Sequence, residues 1–125
     1  MRQGVGQEFH VRQEQPITLA DSEPEPDIAV VQGHPEDFRS THPATAVLVV
    51  EVALSTVEID REKAEIYAAA GVTEYWLVLP EERIVETYVG PSAAGYADIQ
   101  RISDDTIIFP QCVPELKVDL ARLFA

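Results

Sequence analysis

Cationic side chains are scarce in this chain: nine lysines and arginines stand against 22 aspartates and glutamates, a formal charge of −13 over 125 residues. Such a surface repels the phosphate backbone of nucleic acid at long range, so casual nucleic-acid binding is excluded unless divalent cations or a local basic patch intervene. Cysteine is nearly absent as well. The lone Cys112 has no partner within the chain, which rules out an internal disulfide framework, fits a reducing compartment and predicts a small, inert, buried thiol. Long apolar runs are missing. No stretch approaches the ~20 residues of a membrane span, and residues 1–15 lack the apolar core of a signal peptide, so a soluble, cytoplasmic protein is expected. The three histidines, His10, His34 and His42, share no metal-ligand spacing, which argues against a zinc site. The length fits one domain, 1–125, with a single core burying roughly two thirds of the unfolded surface.

What is present centres on ATAVLVVEVALST (44–56), the most hydrophobic stretch. In a strand, Val47, Val49, Glu51 and Ala53 point one way and Ala46, Leu48, Val50 and Val52 the other. Both faces are apolar, so the strand is expected to be central and covered on both sides. An unpaired Glu51 carboxylate there would cost several kcal/mol or stay protonated. It therefore needs a cationic side chain, a metal ion or backbone donors.

Around this strand the pattern predicts a mixed α/β (α+β) fold. Residues 9–19 alternate as a first strand, followed by the acidic, proline-punctuated segment 20–27, a short buried strand at 27–31 and a surface loop at 32–44. Ser55 and Glu58 have the spacing of a capping box, so a helix is expected from about residue 55 to Gly71, with Gly71 at its left-handed end. Its predicted buried stripe is Ile59, Lys63, Ile66, Tyr67 and Ala70. Strands follow at 72–80, 83–90, 96–102 and 106–109, and a closing helix at 118–124. Tyr75 and Trp76, being adjacent, are expected on opposite faces of their strand as core residues.

Asp27 opens a buried strand, Glu51 lies within one, and Lys63 falls on a helix face expected to point inward. Two carboxylates can hold Mg²⁺ or Mn²⁺ through oxygen, and an ammonium can orient or help deprotonate a water or stabilise charge on a phosphate. The same residues have plainer roles open to them: Glu51 as a buried ion pair with Lys63 or Arg61, Asp27 as a turn residue after Pro26, and Lys63 reaching out to water.

Residues 22–31, 47–56 and 60–78 together resemble the three signature blocks of a large bacterial family of restriction-endonuclease-like proteins within the PD-(D/E)xK nuclease superfamily. The resemblance covers roughly residues 8–125 and implies a mixed central sheet flanked by helices. It further implies metal ligation by Asp27 and Glu51, with the backbone carbonyl of Val52 as a further ligand. The superfamily lysine position two residues after the acid is Ala53 here, and Lys63 on the following helix matches the lysine instead. Ser55, Asp60, Tyr67, Tyr75 and Trp76 match recurrent family positions and are assigned to site support or packing. Family members usually begin with an additional helical segment that is not evident here, and the apolar strip left uncovered would favour a homodimer.

The expected function is a Mg²⁺- or Mn²⁺-dependent nuclease hydrolysing phosphodiester bonds, with DNA the expected substrate. The alternatives are a catalytically inactive nuclease-fold module serving dimerisation or partner binding, and hydrolysis of a smaller phosphate ester by the same residues.

Overall fold

The structure, a computed structural model, describes residues 9–19, 22–103, 107–108, 110 and 118–119. Six strands form one sheet in chain order: β1 (Phe9–Gln13), β2 (Ile28–Gln32), β3 (Leu48–Val52), β4 (Glu74–Leu79), β5 (Ile84–Ser92) and β6 (Gly95–Ser103). Only β3 and β4 run parallel, and they are joined by helix α1 (Val57–Ala69); every other neighbour is antiparallel. A parallel pair needs a crossover, and the helix supplies it. Residues 107–108 (β7) and 118–119 (β8) pair as a separate two-stranded ribbon. The helix expected at 118–124 is thus replaced by strand at 118–119, and the remainder of that segment, like Cys112 and residues 1–8, lies outside the described residues.

Within β3 the alternation divides the core as expected, but Ala46 and Val47, which precede the strand, fall on the opposite faces from those expected, Ala46 with Val49 and Val47 with Leu48. Val49 and Ala53 join Tyr67, Tyr75, Leu77 and Tyr88 on the face covered by α1, while Leu48 packs with Val30, Trp76, Val78 and Val85 on the other. Tyr75 and Trp76 therefore separate to opposite faces. Val52, at the end of the strand, is exposed rather than covered, so the second face opens where β3 ends.

The first strand is shorter than expected. β1 ends at Gln13 and Glu14 turns with φ 51°. Residues 14–19 still run against 22–27, through Glu14 N–H to Asp27 O (3.1 Å), Ile17 N–H to Pro24 O (2.9 Å) and Leu19 N–H to Ser22 O (2.9 Å). Pro16, Pro24 and Pro26 lack the donors that would make this a regular ladder.

In α1 the end is as the sequence implied and the face is not. Gly71 sits at φ 79°, its N–H bonding Ala68 O while Val72 N–H bonds Tyr67 O, the paired pattern of a Schellman stop. At the start, however, the cap is Thr56, not Ser55, and it makes no side-chain bond to a helix N–H. The buried stripe is Asp60, Ala64, Tyr67 and Ala68, whereas Ile59 and Ile66 are exposed and Lys63 lies at the flank. Small alanines let the helix approach the sheet closely, and the rotation that turns Ala64 and Ala68 inward also turns Asp60 inward.

Candidate active site

The site begins at one end of the sheet. β2 starts there and β3 ends there, and their register places Ile28 opposite Val50, so the preceding Asp27 stands beside Glu51. Val52 N–H has passed beyond the β2–β3 ladder and donates to Asp27 Oδ2 at 2.7 Å. Asp27 thus replaces a missing strand partner and is fixed by it, while its carbonyl holds Glu14. It is more than a turn residue after Pro26.

Glu51 is buried on the α1 side, as the alternation predicted. Tyr67 Oη–H donates to Glu51 Oε2 at 3.0 Å, and Lys63 Nζ lies 3.5 Å from the same oxygen. Lys63 also stands 3.2 Å from Asp60 Oδ1, and the Thr56 hydroxyl donates to Asp60 Oδ2 at 2.6 Å. The buried Tyr75 hydroxyl donates to Asp60 O at 2.8 Å. The helix start, the sheet and the lysine are therefore tied through one buried aspartate. Lys63 is not inside the core, its side chain keeping 35% of its surface exposed, so the ammonium reaches both the carboxylates and solvent. Arg61, the other candidate partner of Glu51, points elsewhere.

Two carboxylates, Glu51 and Asp60, share this one ammonium, and Asp27 stands beside Glu51. Burial pushes the Glu51 carboxyl above the usual carboxylate range; Lys63 and the Tyr67 hydrogen bond pull it back, and Asp27 and Asp60 push it up again. Burial disfavours the Lys63 charge, but Glu51 and then Asp60 outweigh it and the lysine shifts upward. Burial, followed by Glu51, drives the Tyr67 hydroxyl strongly upward, so it is a hydrogen-bond donor rather than an acid here.

The donor set suits a hard divalent cation. Asp27 uses Oδ2 and Glu51 uses Oε2 in their hydrogen bonds, leaving Oδ1 and Oε1 for another partner. Among the described residues no cluster of three His, Cys, Asp or Glu side chains is arranged around one point. Two carboxylates with water and substrate oxygens completing the shell is the ordinary arrangement for Mg²⁺.

Another buried carboxylate, Glu86, lies outside the residues singled out by the sequence pattern. It receives Arg61 Nε at 3.2 Å, Arg61 Nη2 at 2.7 Å, the Tyr88 hydroxyl at 2.7 Å and Arg101 Nη1. Burial raises its pKa, but Arg61, Tyr88 and Arg101 outweigh that and the net shift is downward. The available signal was Glu86 and Tyr88 sharing one face of an alternating strand whose other face carries Val85. Glu86 has the cations that Glu51 lacks.

Residues 1–121 match the model of the Uma2 family, described as "Putative restriction endonuclease". The chain belongs to this family. No curated protein matches it. Among solved structures, the Uma2 chain is similar in fold to a "putative nuclease belonging to DUF820" from Anabaena variabilis, with a TM-score of 0.75 and 19% sequence identity. The match covers 93% of this chain and 68% of that one. The α+β class and the restriction-endonuclease-like mixed sheet are thereby established, with one α-helix among the described residues of this Uma2 protein instead of several. No helix among those residues is long and apolar enough to cross a membrane.

Proposed function

We propose that this protein is a divalent-metal-dependent nuclease of the PD-(D/E)xK kind, in which Asp27 and Glu51 hold Mg²⁺ or Mn²⁺ and Lys63 serves the attacking water. The observation that carries this reading is a charge imbalance. Glu51 and Asp60 share a single ammonium at the end of β3 and Asp27 adds its charge beside Glu51, while the equally buried Glu86 is fully neutralised by arginines. A divalent cation supplies the missing charge, polarises the phosphodiester and lowers the pKa of bound water. The Val52 carbonyl follows Glu51 directly and is the further ligand we assign.

Lys63, shifted upward, stays protonated near neutral pH. It therefore orients the water and offsets charge on the phosphate rather than abstracting a proton. Asp60 and Tyr67 hold Lys63 and Glu51 in place. Hydrolysis forms a bond from the water oxygen to phosphorus, breaks the ester P–O bond, and leaves the proton on the departing oxygen. DNA is the substrate we assign from the family, and the nuclease name of the Anabaena protein is consistent with it.

Incubation of plasmid and single-stranded DNA with Mg²⁺ or Mn²⁺ tests the reading. Cleavage by wild type should fall by about a hundredfold or more in Lys63→Ala. A non-catalytic, partner-binding module is the second reading, motivated by the Thr56–Asp60–Lys63–Glu51–Tyr67 network, whose members already bond one another. Wild-type protein that cleaves neither DNA nor RNA with either metal favours that module.

A further inference from the structure

The cationic surface that so acidic a nuclease requires has a place in the fold. The register β3–β4–β5–β6 runs Glu51, Leu77, Glu86, Arg101 in a single row across the sheet, on the face covered by α1. Arg61 comes down from α1 onto the same Glu86. At ~4.8 Å per strand, Glu86 lies about 10 Å from Glu51 along the row, which is roughly the rise of three nucleotides at ~3.4 Å each.

Two guanidiniums share the single buried charge of Glu86, and their other carboxylate partners lie at the surface. Glu58 meets Arg61 at 3.4 Å and Glu82 meets Arg101 at 3.0 Å, but these carboxylates are 83% and 50% exposed. Exposed pairs of this sort are worth about 0–1 kcal/mol and are readily displaced. The arginine side chains keep 34% and 46% of their own surface open. Glu86, by contrast, is buried and fixes both guanidiniums in position. A planar fork with donors to spare, held from behind by a buried acid, matches the oxygens of a phosphodiester.

We propose that Arg61 and Arg101 bind the phosphate backbone of a nucleic acid whose scissile bond lies at Asp27 and Glu51. This rests on the nuclease reading above. Glu86 positions the two arginines, and Glu82 competes with the phosphate for Arg101.

Fluorescence anisotropy with labelled duplex and single-stranded oligonucleotides, in Ca²⁺ over a salt series, tests the assignment. Arg101→Gln leaves the Arg61–Glu86 pair intact and should weaken binding about fivefold, with the slope of log K against log salt reduced by about one. Arg101→Lys should keep most of the slope. Glu82→Gln should tighten binding, which a purely structural role would not produce. Arg39→Gln changes the net charge equally, beyond the turn at 35–38 that follows the far end of β2, and should have little effect. Thermal melts establish that each variant is folded. Wild-type binding with Arg101→Gln indistinguishable from Arg39→Gln overturns this assignment and leaves the nuclease standing. Wild type that neither binds nor cleaves either oligonucleotide overturns the nuclease reading and this assignment together.

Discussion

Glu51 and Glu86 occupy matching positions, buried on the same face of the sheet two strands apart, yet their carboxyls shift in opposite directions. The cause is the number of cations each meets. Glu51 is raised above its ordinary 4.5, so the folded protein binds a proton more tightly there than the unfolded chain does. Its contribution to stability is complete below pH 4.5 and is lost as pH rises through the raised value. Glu86 is lowered, and its contribution is present above 4.5 and lost as pH falls through the lowered value. In metal-free buffer, Glu51→Gln should therefore gain stability relative to wild type as pH rises from 4 to 7. Glu86→Gln should be about 1.5–3 kcal/mol less stable than wild type at pH 7, with the gap closing in acid. Urea denaturation across that range measures both. The first result would mark Glu51 as a residue kept at a cost to the fold, as functional groups often are.

At the scale of elements, β3 and the segments around it were legible because burial on both faces leaves an unambiguous apolar run, and Glu51 stood out against it. Asp27 was legible through its place before β2. The face of α1 was not, because periodicity treats Ile59 and Ile66 as inward and Asp60 as outward. The helix instead turns its alanines to the sheet, and Asp60 is tolerated inside because Thr56 and Lys63 bind its carboxylate. The capping box failed for a related reason: Thr56 precedes the first helical turn and gives its hydroxyl to Asp60. Ser55→Ala should consequently change stability by less than ~0.5 kcal/mol, whereas Thr56→Val, which strips a hydrogen bond from a buried carboxylate, should cost about 1.5–3 kcal/mol. Chemical denaturation of the two variants side by side checks the assignment. The pairing of Glu86 with Arg61 and Arg101 was not legible because it joins α1, β5 and β6, and no local pattern in the chain links those three elements.

Across the whole molecule, a charge of −13 sets the terms on which any polyanion is met. The acidic surplus is a general repulsion, but in the proposed reading its local concentration at the end of β3 is also what draws a divalent cation to Asp27 and Glu51. Fold and family fix the scaffold; whether that end of the sheet is a metal centre turns on the cation alone. Isothermal titration of the wild-type protein with Mn²⁺ near pH 7 is the most direct measurement. It should show saturable binding of one ion, weakened more than about tenfold in both Glu51→Gln and Asp27→Asn. Wild type that produces no binding heat, or an isotherm that neither substitution alters, would contradict a cation site built on these two carboxylates.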